Sequence, residues 1–374
     1  MDRLEAKLVR EIVKDILSKL GDKDSSILDY VVGLDPRVAE VKSLLGVGLD
    51  DSCIVGICGM GGIGKTTIAK AVYNQNCSQF DGSSYLANVR ETSKKHGLES
   101  LQELLLSDIL LDSDIKIRNL DRGLSMIMNR VRYMRVLVVL DDVDRLNQLE
   151  ALVGKLDWFG LGSRIIITTR DSHLLDVLEV NRVYNVKELN DEEALELFCC
   201  KAFRKDQPTQ GYVGLTNSVV RYAKGVPLAL RVLGSFLFGR SIIEWQSAVD
   251  KLRQQPNAEI QGVLKLSYDG LDHEEKEIFL DIACFFNWES KDYAIDVSDA
   301  CGFHADIGIR VLEDKALVTI ADNKIDMHDL IQEMGRHIVN EESPKEPGRR
   351  SRLWKYEDIY HTLTKKTVSA NALI

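Results

Sequence analysis

Apolar residues recur along this chain in changing rhythms. Over residues 3–20, Leu4, Leu8, Val9, Ile12, Val13, Ile16, Leu17 and Leu20 are spaced by three and four, which predicts an amphipathic connector helix ending near Gly21. From Ser52 to about residue 190 the rhythm changes to short β-branched runs, CIVGIC, SYLANV, RVLVVL, SRIIITT and RVYNVKEL, separated by helical or loop stretches. That alternation predicts a parallel α/β sheet. Beyond Asn190 helical spacing takes over: Asp191 to Phe203, Tyr212 to Lys224, Pro227 to Phe238 and Ile243 to Leu252. The cluster Gln254 to Asn257 punctuates the chain. Further helices follow around Ile260 to Tyr268, Glu274 to Phe286 and Asp306 to Asp314. Leu317 to Ala321 and Lys324 to Met327 flank Asp322 and Asn323, a turn pair that predicts a two-stranded hairpin, and a last helix runs from His328 to about Glu341. Helices, then a hairpin, then a helix predict a winged-helix-like unit.

The expected architecture is therefore an α/β domain with a parallel sheet, followed by a helical domain and a winged-helix domain. Its boundaries fall at a linker helix over 1–30, the α/β domain over 31–190, the helical domain over 191–257, the winged helix over 258–345 and a basic tail over 346–374. A length of 374 residues accommodates two or three folded units. With 48 basic against 58 acidic side chains the net charge is −10, the wrong sign for non-specific binding to nucleic acid or to an anionic membrane. One basic stretch stands apart: Lys345, Arg349, Arg350, Arg352 and Lys355 read as a solvated linker or a contact for further domains. No run approaches the ~18 apolar residues of a membrane span, and MDRLEAKLVR lacks the apolar core of a signal peptide. A cytoplasmic or nuclear protein is expected. Seven cysteines, an odd number without a CxxC pair, predict reduced core residues.

Chemistry enters after the strand Ile54 to Cys58. The segment Gly59-Met60-Gly61-Gly62-Ile63-Gly64-Lys65-Thr66-Thr67 satisfies GxxxxGK[ST] and leads into a helical stretch. Glycines let backbone N–H groups wrap phosphates, the helix N-terminus adds positive potential, Lys65 reaches the β and γ phosphates, and Thr66 ligates Mg²⁺. The same glycines satisfy GxGxxG, and Asp81 lies where a ribose-binding acid would fall, so a dinucleotide site is the alternative. That acid should end the second strand, however, and Asp81 precedes SYLANV. Arg135 to Leu140 is a buried strand ending in Asp141 and Asp142. Beside a phosphate loop, Asp141 is expected to hold Mg²⁺ and Asp142 to polarise the attacking water; the plainer reading is a pair of turn-starting aspartates. The strand Ile165 to Thr169 ends in Arg170, a candidate γ-phosphate contact or a surface cation.

In order along the chain, GMGGIGKTT, YLANVRE, LDDVD, GSRIIITTRD, GVPLAL, FLDIACFF and MHDLIQEMGR resemble the NB-ARC nucleotide switch of plant disease-resistance proteins, a group of P-loop ATPases. Asp144 and FLDIACFF favour the subclass with an N-terminal TIR domain. The resemblance implies three domains closing over ADP, slow hydrolysis of ATP and activation by exchange. It implies further that Pro227, with Leu228 beside it, lies against the adenine, that the backbone from Val31 through Val32 and Gly33 borders it from the other side, and that His328 contacts the β phosphate. The plainer alternatives are a helix-starting proline and a helix-starting polar pair, His328 and Asp329. By the same resemblance a TIR domain before the chain, leucine-rich repeats after it, homo-oligomerisation on activation, and indirect contact with a pathogen effector or a guarded host protein are expected. A turnover ATPase or kinase, and a scaffold or decoy with a structural nucleotide, remain open alternatives. Winged helices often bind DNA, but the acidic balance argues against that here.

Overall fold

The computed structural model describes residues 32–252 and 255–365. The connector helix expected over 3–20, and Val31, lie outside the described residues. The chain falls into two compact units. One comprises the described residues up to Cys58, Gly64–Thr169 and Leu174–Val186; the other comprises Gly59–Ile63, Arg170–His173 and the described residues from Lys187 onward.

In the first unit five strands, β1 (Cys53–Cys58), β2 (Gly82–Leu86), β3 (Val136–Val143), β4 (Arg164–Thr169) and β5 (Arg182–Asn185), pair in parallel in the order β2-β3-β4-β1-β5. Each overlaps one of the five apolar runs, but β2 stops at Leu86, so that Ala87 to Val89 of SYLANV lie beyond it and Val89 opens a helix, and β5 stops at Asn185 within RVYNVKEL. Every residue of β1 and β4 is buried, the consequence of a parallel sheet covered on both faces. The helices are α1 (Leu34–Leu45), α2 (Lys65–Asn76), α3 (Val89–His96), α4 (Leu98–Leu110), α5 (Leu120–Val131), α6 (Leu146–Val153) and the short α7 (His173–Val177), which begins in the second unit's segment. Ile54, Val138, Leu140, Ile165 and Ile167 pack on one side with Leu101 and Leu105 of α4 and Leu149 and Leu152 of α6. Helix α1 packs on α2 and β1. It is not among the predicted elements; Pro36 lies in its first turn, where proline is tolerated because its missing N–H has no helical partner.

The expected end of β3 at Leu140 is corrected. The strand continues to Val143 through a bulge: Leu140 pairs with Ile167, pairing resumes at Val143 with Thr169, and Asp142 takes φ 57°. The acid pair thus sits inside a distorted strand rather than after one.

The second unit opens with α8 (Asp191–Phe203), α9 (Val213–Ala223), α10 (Pro227–Leu237) and α11 (Ile242–Leu252). A capping box between Asn190 and Glu193 starts α8. Trp245 stacks on Phe203 and meets Phe198 and Tyr212 edge-on, forming the aromatic centre of these helices. The winged-helix domain follows: α12 (Ala258–Asp269), α13 (His273–Asp281), α14 (Lys291–Ala300), α15 (Ala305–Asp314), the hairpin β6 (Thr319–Ala321) and β7 (Lys324–Asp326), and α16 (Asp329–Glu342). Asp322 and Asn323 both have positive φ, as a two-residue hairpin turn requires. The helix expected from Glu274 to Phe286 is interrupted: α13 ends at Asp281 and Ile282–Phe286 winds as a π turn, where Arg336 donates to the Ala283 carbonyl. Among the described residues no helix is long and apolar enough to cross a membrane.

Two expectations fail here for the same reason, that exposure is set by tertiary neighbours. Arg350 and Arg352, read from the sequence as part of a solvated linker or a contact for further domains, are buried within the chain's own fold. Arg352 pairs with Asp281 and Glu277 at 2.5 and 2.9 Å, Arg350 pairs with Asp358, and α17 (Tyr356–Lys365) follows. All seven cysteines are free, and five are core residues as expected, but Cys77 is half-buried and Cys301 exposed.

Candidate functional site

Strands β1 and β3 flank β4 in a parallel sheet, so the chain leaves both at the same edge. At the end of β1 the glycine loop runs from Gly59 through Ile63. Gly62 and Gly64 take φ 81° and 107°, conformations that side chains with a Cβ rarely enter. Gly64 then begins α2, whose first residue, Lys65, is buried, with Thr66 and Thr67 in its first turn. Strand, loop and helix thus follow one another as the motif demands.

The first unit gathers a polar cluster on one acid. Asp141 Oδ1 accepts hydrogen bonds from Thr66 Oγ1 at 2.8 Å and Thr168 Oγ1 at 2.7 Å, and Thr168 in turn accepts from the Asp142 N–H at 2.9 Å. Burial pushes the Asp141 carboxyl above its usual range, the two hydroxyls and the Asn88 backbone pull it back, and the neighbouring Asp142 charge adds to the rise. Asp142 forms an ion pair with Arg90 at 2.8 Å. The Tyr85 hydroxyl is buried without a hydrogen-bond partner among the described residues, and burial with the field of Asp141 pushes its pKa upward.

These residues fit a magnesium ion. Asp141 pairs with no cationic side chain among the described residues, Thr66 offers a hydroxyl beside it, and the orphaned Tyr85 hydroxyl could serve a metal-bound water. Magnesium is commonly held by one or two carboxylates together with substrate phosphates and several waters. Asp81, the acid of the dinucleotide alternative, lies before β2 at the opposite end of that strand, where it accepts the Arg135 N–H at 2.9 Å. Moreover β2 is not a neighbour of β1.

The remaining expected residues divide between the units. Val32 and Gly33 belong to the first, in the turn before α1, where Gly33 has φ 68°. In the second unit, Leu228 N–H donates to the Gly62 carbonyl at 3.2 Å, and a Cβ on Gly62 would lie 2.7 Å from that of Leu228. Pro227 opens α10 at its first position. Arg170 Nη1 donates to the Val263 carbonyl at 2.7 Å, close against Gly61. His328 caps α16: its Nδ1 accepts from Leu330 N–H at 3.1 Å, so a neutral ring carries its proton on Nε2, which lies 3.5 Å from the Lys224 carbonyl. Burial holds the His328 pKa below its usual value. Asp329 pairs with Lys224 at 3.1 Å. The helix-starting roles of Pro227 and His328 are therefore real.

The NB-ARC domain family matches residues 35–208, and the winged-helix domain of Roq1-like disease resistance proteins matches residues 272–343. The disease resistance protein RUN1 of Vitis rotundifolia is 46% identical over 97% of the chain, and the TMV resistance protein N of Nicotiana glutinosa 43% identical over 98%. The chain belongs to the NB-ARC family of plant disease-resistance proteins. It spans 27% of the length of the first relative and 32% of the second. Among solved structures, a Walker-type ATPase of Pyrococcus abyssi aligns with a TM-score of 0.54 at 14% identity, over 82% of this chain and 96% of that one, a likeness of fold alone. An NB-ARC domain on this P-loop fold implies nucleotide binding. Arg90, Asn88, Tyr85 and Thr168 surround the acid pair, and the sequence marks them only as members of YLANVRE and GSRIIITTRD, with no role of their own. Three of them lie in SYLANVR, on or just after the strand beside β3.

Proposed function

We propose that this NB-ARC region is a switch that is held inactive with ADP, is activated by exchange for ATP and hydrolyses ATP slowly. The observation that carries the reading is the Thr66 hydroxyl on the buried Asp141 carboxylate at the start of the phosphate-loop helix. Lys65 and the loop amides would bind the phosphates, Thr66 and Asp141 would hold Mg²⁺, and Asp142 would orient the attacking water. Magnesium supplies neutralising charge on the phosphate oxygens. By the family resemblance Val32, Gly33, Pro227, Leu228 and His328 contact the nucleotide, and Arg170 meets the γ phosphate. In the longer proteins TIR and leucine-rich-repeat domains in cis, assembly on activation and an effector-linked trigger complete the proposal.

The nucleotide released when the purified protein is denatured tests it. Bound ADP is expected, with ATP turnover well below the ~10 s⁻¹ of a typical enzyme. Steady rapid turnover would favour an ordinary ATPase, and bound NAD would overturn the reading of the glycine loop.

A further inference from the structure

The turn from β2 into α3 lies outside both the glycine loop and the acid pair, yet it touches both acids. The backbone of Asn88 hydrogen-bonds the Asp141 carboxylate. Two residues on, Arg90 Nη2 meets Asp142 Oδ2 at 2.8 Å, with side chains only 10% and 17% exposed. A pair this sheltered is held in one geometry, unlike the exposed pair of Lys95 with Glu91 on the same helix.

Asp142 needs such a hold. It sits in the bulge of β3 at φ 57°, its amide committed to Thr168, and its charge is repelled by the adjacent Asp141. Arg90 meets that charge with the opposite one at Oδ2. Glutamine could still donate a hydrogen bond there but would bring no charge, and lysine would bring the charge without the planar fork.

We propose that Arg90 is a positioning residue for ATP hydrolysis, which fixes the Asp142 carboxylate in the β3 bulge and never touches the nucleotide. This rests on the reading of Asp142 as the group that orients water. In the step itself the water oxygen bonds to the γ phosphorus as the bond from that phosphorus to the bridging oxygen breaks. ADP leaves with the electron pair, and the phosphate formed keeps the water oxygen and one proton while the other passes to solvent. Orientation of that water is sensitive to displacements of well under an ångström to an ångström, and the position of the carboxylate follows that of Arg90.

Single-turnover ATP hydrolysis by the full chain, with ATP affinity measured in parallel by calorimetry, provides the test. Arg90→Gln is expected to slow hydrolysis about tenfold while affinity changes by less than about twofold. Arg90→Lys should recover part of the loss. In an Asp142→Asn background, Arg90→Gln should slow the reaction no further, because the group it positions has gone. Equal loss of rate and affinity, or additive losses in the double variant, would overturn the positioning role. If Arg90→Gln does not fold, Arg90→Lys decides: an intermediate rate at unchanged affinity supports the proposal, and a full rate overturns it. An unchanged rate in Asp142→Asn would overturn the assignment of Asp142 and the proposal with it. A slow Asp142→Asn beside a normal Arg90→Gln would sink the proposal alone.

Discussion

Both units bury acidic side chains, and they surround them differently. In the sheet unit Asp141 meets two hydroxyls and a backbone amide, all neutral donors. In the helical unit Asp281 meets the guanidinium of Arg352, which Glu277 shares. Burial raises the pKa of both acids, but at Asp281 the arginine supplies the opposing charge within the fold. A buried carboxylate met only by neutral donors is ready for a cation from outside; one locked to arginine is part of the scaffold. The first kind of site is recognised by what it lacks, the second by what it would lose.

That contrast can be broken most forcefully at Arg352. Arg352→Met should leave Asp281 buried without its counter-charge and cost about 3 to 5 kcal/mol of stability, read by denaturant unfolding of the full chain. A loss below 1 kcal/mol would place this pair with ordinary surface bridges. Lys65→Ala should do the reverse. Nucleotide affinity should fall at least about a hundredfold, near 2.7 kcal/mol, while the melting temperature measured without nucleotide stays within a few degrees. Unchanged calorimetric affinity would remove the phosphate-loop assignment.

A smaller effect distinguishes His328 as part of the fold. Its pKa is lowered on folding, so between that value and the ordinary one near 6.5 the unfolded chain binds a proton that the folded chain refuses. Its contribution to stability is therefore full above about pH 6.5 and declines as the pH falls through the folded value. His328→Gln should flatten the melting temperature against pH over that acidic window, and parallel curves for the two proteins would show that the ring is not held neutral.

The strands were legible because a doubly covered parallel sheet demands consecutive apolar residues, as in RIIITT of β4. The glycine loop was legible because its chemistry is contiguous. Arg90 and Thr168 were not, because they reach the acids through a strand order that hydrophobic patterning does not encode. Arg352 was missed for a related reason: its partners lie far upstream, and a run of positive charge resembles a solvated surface when its acids are out of view. The bulge at Asp142 was likewise invisible, since an aspartate after an apolar strand reads as its end.

Gly62 and Leu228 are remote in sequence but share one small space, and each limits what the other can become. Two constraints therefore fall on the glycine: the leucine beside it, and a left-handed backbone that strains any other residue whatever the space. A smaller residue at 228 relieves the first and leaves the second, so descendants should keep glycine at 62 whatever stands at 228. Gly62→Ala should destabilise the loop with or without Leu228→Ala, and a double variant as stable as Leu228→Ala alone would show that crowding was the sole constraint.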